Sequence, residues 1–472
     1  MKRLTTVFSY SLLGMMILSV AACTRNGKSR VCTDVPAIFP DYVGVTIPVD
    51  IAPLNFAMLD DSLTQMEVVV TGSKGGRITT KGDYADFPTD EWRTLLSQNK
   101  GGQLTLKVKA KDQSDTWTVY RPFNITISSD SLGEWGITYR RIAPGYQQYG
   151  HMGIYQRHLA TFDEFLIEDN SNRPGTCLNC HTANRCNPEQ YTYHRRGNNA
   201  GTFIADTKRG RRQVLPPKEL GGSFVYPYWH PSGRYCAYST NKTSQMFHLT
   251  NAKKRIEVYD AASDVFIYDV SQRRVLRDTL LMRRLWAENT PAFSPDGHWL
   301  YYTTARRQVY PTNYDRERYS LCRVAFDERT GRLGQKVDTL LRADTTSISW
   351  PRPSYDGRYL MFTTASHGYF TIWHPEADLW LLDLATGKAR PMNEVNSPRA
   401  ESFHNWSRNS RWFLFTSRRG DGLYTRIFLS SLDDNGKATK PFLLPQRNPK
   451  KYDRTSLYSF NTPDFTSGKV KR

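Results

Sequence analysis

The sequence predicts an all-β protein whose main body is a β-propeller, and repetition is the first observation behind this fold class. From about residue 222 onward a motif recurs four times, with turn positions at Gly233, Gly297, Gly357 and Ser410. A repeat of roughly 50 to 65 residues that reads as a few short strands and polar turns is typical of one blade per repeat. The second observation is that aromatic and branched residues follow each turn, as in strands packed on both faces.

The four repeats predict four plain blades, each opening with a tight hairpin. In 293–303 the segment Pro295-Asp296-Gly297 closes the hairpin, because proline fixes φ and glycine then permits φ above zero. The other copies are 229–239, 353–363 and 406–416. We expect a degenerate blade to include 201–204 and a fragment at 458–463 to close the ring, which gives five or six blades over 201–472. An open sandwich of the same strands is the alternative, although a sandwich requires no such repeat.

Residues 37–130 predict a small β-sandwich-like domain in front of the propeller. Strand candidates are Met66 to Val70, Leu104 to Val108, Thr116 to Tyr120 and Phe123 to Ile127. One helix is expected near 89–98, with Thr89 as its N-cap and two acidic residues in its first turn. No chemistry is assigned to this domain.

The N-terminus predicts export and lipidation. Residues 1–22 combine a basic start, an apolar run and small residues before Cys23, the layout of a secretory signal peptide. Cys23 at the junction resembles a bacterial lipobox, which implies acylation of its thiol, and 23–36 then form a polar tether. Two or three acyl chains hold a protein on a membrane almost permanently. The other possibility is an ordinary cleaved signal that leaves a free Cys23.

The composition of the chain limits the classes of binding partner that we expect. The formal charge of +19 and a mean hydropathy of −0.59 describe a water-soluble chain with a basic surface. The basic residues are scattered in pairs such as Arg140-Arg141 and Arg306-Arg307 rather than gathered in one block, and an exported protein rarely meets nucleic acid. We therefore exclude nucleic acid and expect an anionic membrane surface nearby.

A CxxCH motif lies between the two β regions, in the segment 131–200, which we expect to be a connection containing a haem-binding loop. The motif places Cys177, Cys180 and His181 at the spacing of c-type cytochromes. There the two thiols bond to the haem vinyl groups and the histidine becomes an axial iron ligand. The sequence thus predicts one covalent haem c.

Two alternatives to haem remain open at this motif. Cys177, Cys180 and Cys186 with His181 or His194 could form a Cys3His zinc site. A redox disulfide between Cys177 and Cys180 is the other, although the flanking sequence lacks a thioredoxin-like pattern.

A haem at this motif would need further ligands. His194 follows His181 by 13 residues and is our candidate for the sixth iron ligand, with His230, His248, Met152 and Met246 as other possibilities. Arg195 and Arg196 could pair with the haem propionates.

The repeats resemble the WD-like repeats of TolB-type propellers, and the chain as a whole resembles a family of Bacteroidetes envelope lipoproteins. In that family a CxxCH segment runs into a TolB-like propeller. The resemblance rests on 47–56, Cys177 to His181, 226–233 and 241–248. It implies a haem and a propeller but no settled activity. Basic residues after Cys23, where surface-exported lipoproteins carry acidic ones, favour the periplasmic face of the outer membrane.

Two functions follow from the sequence. The first is a lipid-anchored, periplasm-facing monohaem cytochrome that passes single electrons to an envelope redox partner. The second is a TolB-like binding or scaffold protein whose CxxCH loop is a structural zinc site or a sensory haem site. The sequence contains no nucleophile-elbow, phosphate-loop or paired-carboxylate motif, so no motif supports a hydrolase function.

Overall fold

The protein consists of a small β domain followed by a six-bladed propeller. The computed structural model describes residues 29–143, 150–172, 175–198, 200–206, 210–214, 224–248 and 256–471. Cys23 and the predicted signal peptide lie outside these residues. The all-β fold class is confirmed. The described residues contain two α-helices, α1 (Thr89–Gln98) and α2 (Pro449–Thr455), and both are short.

The N-terminal domain is a seven-stranded sheet with a two-stranded sheet beside it. Its strands alternate buried and exposed residues, as in β7, whose Leu104, Leu106 and Val108 face the core. β2 pairs with β4, and the other seven strands form the larger sheet. The strands are β1 (Ser29–Val31), β2 (Ile38–Phe39), β3 (Thr46–Ile47), β4 (Ala57–Met58), β5 (Leu63–Gly72), β6 (Arg77–Gly82), β7 (Gln103–Asp112), β8 (Trp117–Val119) and β9 (Phe123–Ile127).

Six four-stranded antiparallel sheets follow within the described residues, one for each blade. Blade 1 contains β10 (Gly136–Ile142), β11 (Met152–His158), β12 (Glu164–Asp169) and the last strand, β33 (Ser459–Thr466). Blade 2 contains β13 (Thr176–Asn184), β14 (Asn187–Gly197), β15 (Gly201–Asp206) and β16 (Gly210–Val214). Blade 3 contains β17 (Val225–Trp229), β18 (Tyr235–Phe247), β19 (Ile256–Asp269) and β20 (Arg274–Leu276).

The remaining three blades have the same meander. Blade 4 contains β21 (Trp286–Phe293), β22 (Trp299–Arg306), β23 (Ser320–Asp327) and β24 (Arg332–Leu341). Blade 5 contains β25 (Ser347–Pro353), β26 (Tyr359–Ala365), β27 (Asp378–Asp383) and β28 (Ala389–Pro391). Blade 6 contains β29 (Glu401–Trp406), β30 (Trp412–Ser417), β31 (Arg426–Ser431) and β32 (Phe442–Leu443).

The innermost strands form a closed ring around a central channel. β13, β17, β21, β25, β29 and β33 each contact the next, and β33 contacts β13 again. β33 comes from the C-terminus yet pairs with β10, so blade 1 joins both ends of the propeller. The predicted closing fragment at 458–463 therefore corresponds to β33, and the count is six.

The segment 131–200 is not a connection. It forms β10 to β12 of blade 1 and β13 and β14 of blade 2, so the propeller begins near residue 136 rather than at 201. The predicted degenerate blade at 201–204 corresponds to β15 of blade 2, but the rest of blade 2 and blade 1 were not recognised. Neither blade contains the Pro-Asp-Gly type of turn by which the other four were recognised.

The N-terminal domain shares a hydrophobic core with the propeller. Phe56 and Trp92 of the domain belong to the same buried cluster as Trp412 and Leu414 of blade 6 and Tyr139 of blade 1. Hydrogen bonds cross the same boundary from Tyr42 Oη to the Leu443 carbonyl (3.3 Å) and from Asn55 Nδ2 to the Arg447 carbonyl (2.9 Å).

The predicted elements of the N-terminal domain correspond to β5, β7, β8, β9 and α1. The helix spans Thr89–Gln98 with Asp90 and Glu91 in its first turn, but its N-cap is Pro88 rather than Thr89. No side chain caps the start of the helix. Its stability comes from the buried face, where Trp92, Leu95 and Leu96 pack in the core.

Candidate functional site

Each innermost strand contains one residue in the left-handed backbone region. The six residues are Cys180, Tyr226, Thr290, Trp350, Phe403 and Thr462, with φ between 45° and 56°. The strand pairing of every blade shifts register at this point, as at a β-bulge. The next residue is proline in four blades and histidine in the other two, at His181 and His404. The bulge turns neighbouring side chains toward the channel.

The CxxCH motif is therefore blade 2's copy of this repeat, on strand β13 and not in a loop. Cys177, Cys180 and His181 are all buried. Cys177 Sγ lies 3.4 Å from Arg140 Nη2, and the ring of His181 lies 6.0 Å from the ring of Tyr191. Burial lowers the pKa of His181 to about 3 and raises the pKa of the Cys180 thiol. In this setting His181 is neutral and Cys180 is a thiol.

The space beside these residues does not fit a haem. The cavity that Cys180 and His181 line has a volume of about 40 Å³, whereas sites for cofactor-sized ligands are on the order of 300–1,000 Å³. A larger cavity of about 190 Å³, between blades 1 and 6, is not lined by Cys177, Cys180 or His181. A covalent haem would require β13 to leave the inner ring. The haem thus stays a prediction from the motif alone.

The cysteines predicted for zinc or a disulfide are not assembled. Cys177, Cys180 and Cys186 are free thiols. Cys186 lies in the β13–β14 turn, where its Sγ is 3.6 Å from Tyr355 Oη and it packs in the core shared with the N-terminal domain. Among the residues described, these thiols do not form a group of three or more ligands with His181 or His194.

The other residues predicted to contact a haem, His194, Arg195 and Arg196, each interact with protein side chains instead. His194 is buried on β14, and its Nδ1 lies 3.0 Å from Thr202 Oγ1. Burial lowers the pKa of His194 to about 3. Arg195 forms an ion pair with Glu168 at 3.0 Å. Arg196 points to the other face of the strand, where its charge interacts with the Cys180 thiol and Tyr226.

The channel wall is polar near these residues. Tyr226 Oη lies 3.2 Å from Tyr369 Oη, and Asn289 Nδ2 donates to Asp260 at 3.2 Å. Burial raises the pKa of Asp260 to about 6, and Asp260 Oδ1 has no hydrogen-bond partner among the described residues. Of the other histidines considered for the haem, His230 bonds the Gly297 carbonyl at 3.1 Å and so serves the hairpin turn.

One mouth of the channel is covered by a long hairpin. The strands β18 and β19 have 13 and 14 residues, so they extend well past β17, with which β18 pairs only as far as Ser239. The hairpin leans over blade 4, where Tyr259 stacks on Tyr310 with ring centres 4.6 Å apart. We call this opening the hairpin mouth.

The hairpin mouth also holds a cluster that sequence reasoning missed. Glu257 on β19 meets His367 and His374, which lie in the connection between β26 and β27 of blade 5. Burial alone would raise the pKa of Glu257, but the close contacts with both histidines outweigh it and lower the pKa to about 2. The only sequence signal was the pair of histidines seven residues apart, with Glu376 close behind.

Comparisons with known proteins give weak likenesses only. No family model and no curated protein matches the sequence. Among solved structures, TolB from Acinetobacter baumannii is 13% identical, with 80% of this chain and 85% of that chain covered at a TM-score of 0.44. An oligogalacturonate lyase in complex with manganese is 13% identical over 64% of this chain and 73% of that chain (TM-score 0.38). A puromycin hydrolase is 14% identical over 64% and 45% (TM-score 0.39).

The propeller fold rests on this chain's own strand pairing, and these likenesses assign it no activity. Within the described residues no helix has both the length and the apolar character needed to cross a bilayer.

Proposed function

We propose that this chain is a cell-envelope binding protein, tethered to a membrane by lipid at Cys23, that docks a partner protein on the hairpin mouth. The tether is supported by the lipobox-like junction after residue 22. The periplasmic face of the outer membrane is the proposed location, supported by the basic residues that follow Cys23. The electron-transfer hypothesis has less support than the binding-protein hypothesis, because the folded β13 offers no space for a haem.

The observation that carries this proposal is a set of exposed apolar side chains around the hairpin mouth. Phe247 ends β18 with 51% of its surface exposed, and Val309, in the β22–β23 connection, is 66% exposed. Leu285 and Trp286, at the start of β21, are also exposed. The pairing of Trp286 with Arg306 puts the start of β21 and the end of β22 at the same edge of blade 4.

Clustered exposure of this kind marks interaction sites more often than scattered apolar residues do. An aromatic side chain with an apolar rim is a typical anchor for a protein partner. We therefore expect the partner to contact blades 3 and 4 around Phe247 and Trp286.

The test compares two double variants in membranes from cells that make the full-length protein. Phe247→Ser with Val309→Ser alters the hairpin mouth, and Leu59→Ser with Val119→Ser alters exposed apolar residues of the N-terminal domain. After detergent extraction, wild type and the second variant are expected to migrate as a complex larger than the free lipidated chain. The first variant is expected to migrate as the free chain. A free wild-type chain, or equal behaviour of the two variants, would contradict the proposal.

A further inference from the structure

We propose that Glu257, His367 and His374 form a binding site for a divalent transition metal, with zinc the favoured ion. The three ligand atoms lie within 4.8 Å of one another. Glu257 Oε2 is 3.1 Å from His367 Nε2, and Glu257 Oε1 is 3.2 Å from His374 Nε2. Two histidines and one glutamate are also the protein ligands of many zinc centres that keep a position open.

The spacing suits an ion after a small shift of side chains. Zinc bonds to imidazole nitrogen and carboxylate oxygen at about 2.0–2.2 Å, so ligand atoms around a tetrahedral ion lie about 3.4 Å apart. The two Glu257–histidine distances are close to this value. All three side chains are at most 7% exposed, so water does not screen the site.

A chain of hydrogen bonds behind the histidines fixes which nitrogen faces the site. The Ser366 hydroxyl donates to Glu376 Oε1 at 2.5 Å, so it must accept from His367 Nδ1, which lies 2.9 Å away. The proton of a neutral His367 is therefore on Nδ1, and the lone pair of Nε2 faces Glu257. Two acceptors then oppose each other at 3.1 Å, an arrangement that requires a cation or a further proton between them.

His374 has a matching outer contact. Its Nδ1 lies 3.4 Å from Glu376 Oε1, an ion-pair distance rather than a hydrogen bond, so the same carboxylate approaches both histidines from behind. Carboxylate or hydroxyl partners on the non-ligating nitrogen are the usual second layer of a zinc site, where they orient the ring and raise its basicity.

Charge balance favours the ion as well. A divalent cation with two neutral histidines and the carboxylates of the buried Glu257 and the partly exposed Glu376 gives a net charge of zero. Burying unbalanced charge is costly, so a balanced set is favoured. Nitrogen ligands also select zinc and its neighbours over magnesium or calcium, which prefer oxygen.

The ion would tie two blades together across the hairpin mouth. Glu257 belongs to blade 3 and both histidines belong to blade 5, so the metal would hold the hairpin over blade 4. Three protein ligands leave at least one coordination position for water or a bound ligand.

The experiment measures metal binding by the full mature chain, produced without a histidine tag and stripped with a chelator. Titration with Co²⁺, a spectroscopic substitute for Zn²⁺, is expected to show one site with visible absorption bands, and Zn²⁺ is expected to displace it. Mg²⁺ and Ca²⁺ should not. His367→Ala and His374→Ala are expected to weaken binding at least 100-fold, and Glu376→Gln about tenfold.

The matched control is His298→Ala, which removes an exposed histidine from the turn at the opposite end of blade 4. It should leave the affinity unchanged. Glu257→Gln keeps both histidines and serves if an alanine variant does not fold. Absence of a Co²⁺ spectrum in folded wild type, or equal affinity in wild type and both His→Ala variants, would overturn the proposal. Neither result depends on the partner-docking proposal, which is tested by complex size.

Discussion

A single left-handed residue in each inner strand determines which side chains line the channel. Cys180, Trp350 and Phe403 occupy this position in blades 2, 5 and 6, where non-glycine residues pay a conformational penalty of about 1 kcal/mol. The cost is offset because the bulge brings a buried ring or thiol into the central cluster that contains all three. Cys180 therefore has a structural role that its place in a haem motif obscures.

The placement of Cys180 predicts the outcome of haem maturation. Made in a host with c-type haem assembly, the protein is expected to fold without covalent haem, because Cys177 and Cys180 become buried in β13. Peroxidase staining after denaturing electrophoresis checks this, with a known c-type cytochrome as the positive control. A stained band at the size of this chain, lost in Cys177→Ala, would show that β13 does not adopt the folded arrangement described here.

Glu288 provides a pH-dependent contribution to stability. Burial raises its pKa to about 7, against the opposing effect of Arg283 at 2.7 Å, and its Oε2 has no partner in the described part of the chain. A carboxyl whose pKa is raised by folding favours the folded state below its unfolded pKa of about 4.5. That contribution is lost as the pH rises toward about 7.

We therefore expect Glu288→Gln to remove part of the loss of stability between pH 4.5 and pH 7. We compare the free energy of unfolding of the variant with that of wild type at each pH. This difference should favour the variant by about 1–3 kcal/mol more at pH 8 than at pH 4.5. Urea unfolding at the two pH values measures the difference. The variant Glu328→Gln, at an exposed position, is the control and should follow wild type. An unchanged pH slope in Glu288→Gln would contradict the assignment.

Residues in local turns were predictable from sequence, whereas residues joined by distant contacts were not. Gly233, Gly297 and Gly357 have the positive φ that their turns predicted. At Gly297 a Cβ atom would also lie 2.3 Å from His230 Nε2. Both the positive φ and this close contact therefore favour glycine at the turn. The contact of Glu257 with His367 spans 110 positions and depends on hairpin length, which no local pattern encodes.

Among the elements, the closing strand β33 is tied to both neighbouring blades by one side chain. Asp464 Oδ2 accepts from Thr182 Oγ1 (2.8 Å) and the Ala183 amide (3.0 Å) of blade 2, and Oδ1 accepts from Asn405 Nδ2 (2.6 Å) of blade 6. Asp464 is buried, so the loss of its carboxylate leaves these donors in a place where water has little access.

Replacing Asp464 by alanine is expected to destabilise the protein by about 2–4 kcal/mol, because one buried donor and two partly buried donors lose their acceptor. Asp434→Ala is the control. Its side chain is 92% exposed and pairs with Arg411 on the surface, so its loss should cost no more than about 0.5 kcal/mol. Chemical unfolding of both variants gives the comparison. Equal stabilities would show that the closure does not depend on Asp464.

Element patterns in the sequence identified the regular blades and missed the irregular ones. Blades 3 to 6 were recognised because each has its turn motif, and β33 was recognised as a closing fragment. Blade 1 was missed because its four strands come from both ends of the propeller. Blade 2 was predicted only in part, as the degenerate blade at 201–204 that corresponds to β15. Its inner strand was missed because it contains CxxCH where the others have an aromatic or threonine residue before proline or histidine.

At the scale of the whole molecule, the two domains share one core and should unfold together. Phe56 of the N-terminal domain is fully buried in the cluster that also contains Trp412 and Ile427 of blade 6. Neither domain can separate without exposing this apolar surface, which costs about 25 cal/mol per Å².

Calorimetry is accordingly expected to show one unfolding transition for the described domains together. Phe56→Ala should lower the temperature of that single transition, since truncating a buried aromatic ring costs about 3–5 kcal/mol. Leu457→Ala removes a side chain that is 57% exposed and should leave the transition almost unchanged. Two resolved transitions in wild type, only one of which moves in Phe56→Ala, would show that the domains are independent.

The pairing of β10 with β33 has a consequence for biogenesis. Blade 1 has an unpaired strand edge from the moment β10 is made until residues 459–466 are added, more than 300 positions later. Such an edge can pair with another chain, and contacts this distant in sequence form slowly. The ring can therefore close only after residues 459–466 have been synthesised, and during that interval the open edge of blade 1 is available to pair with another chain.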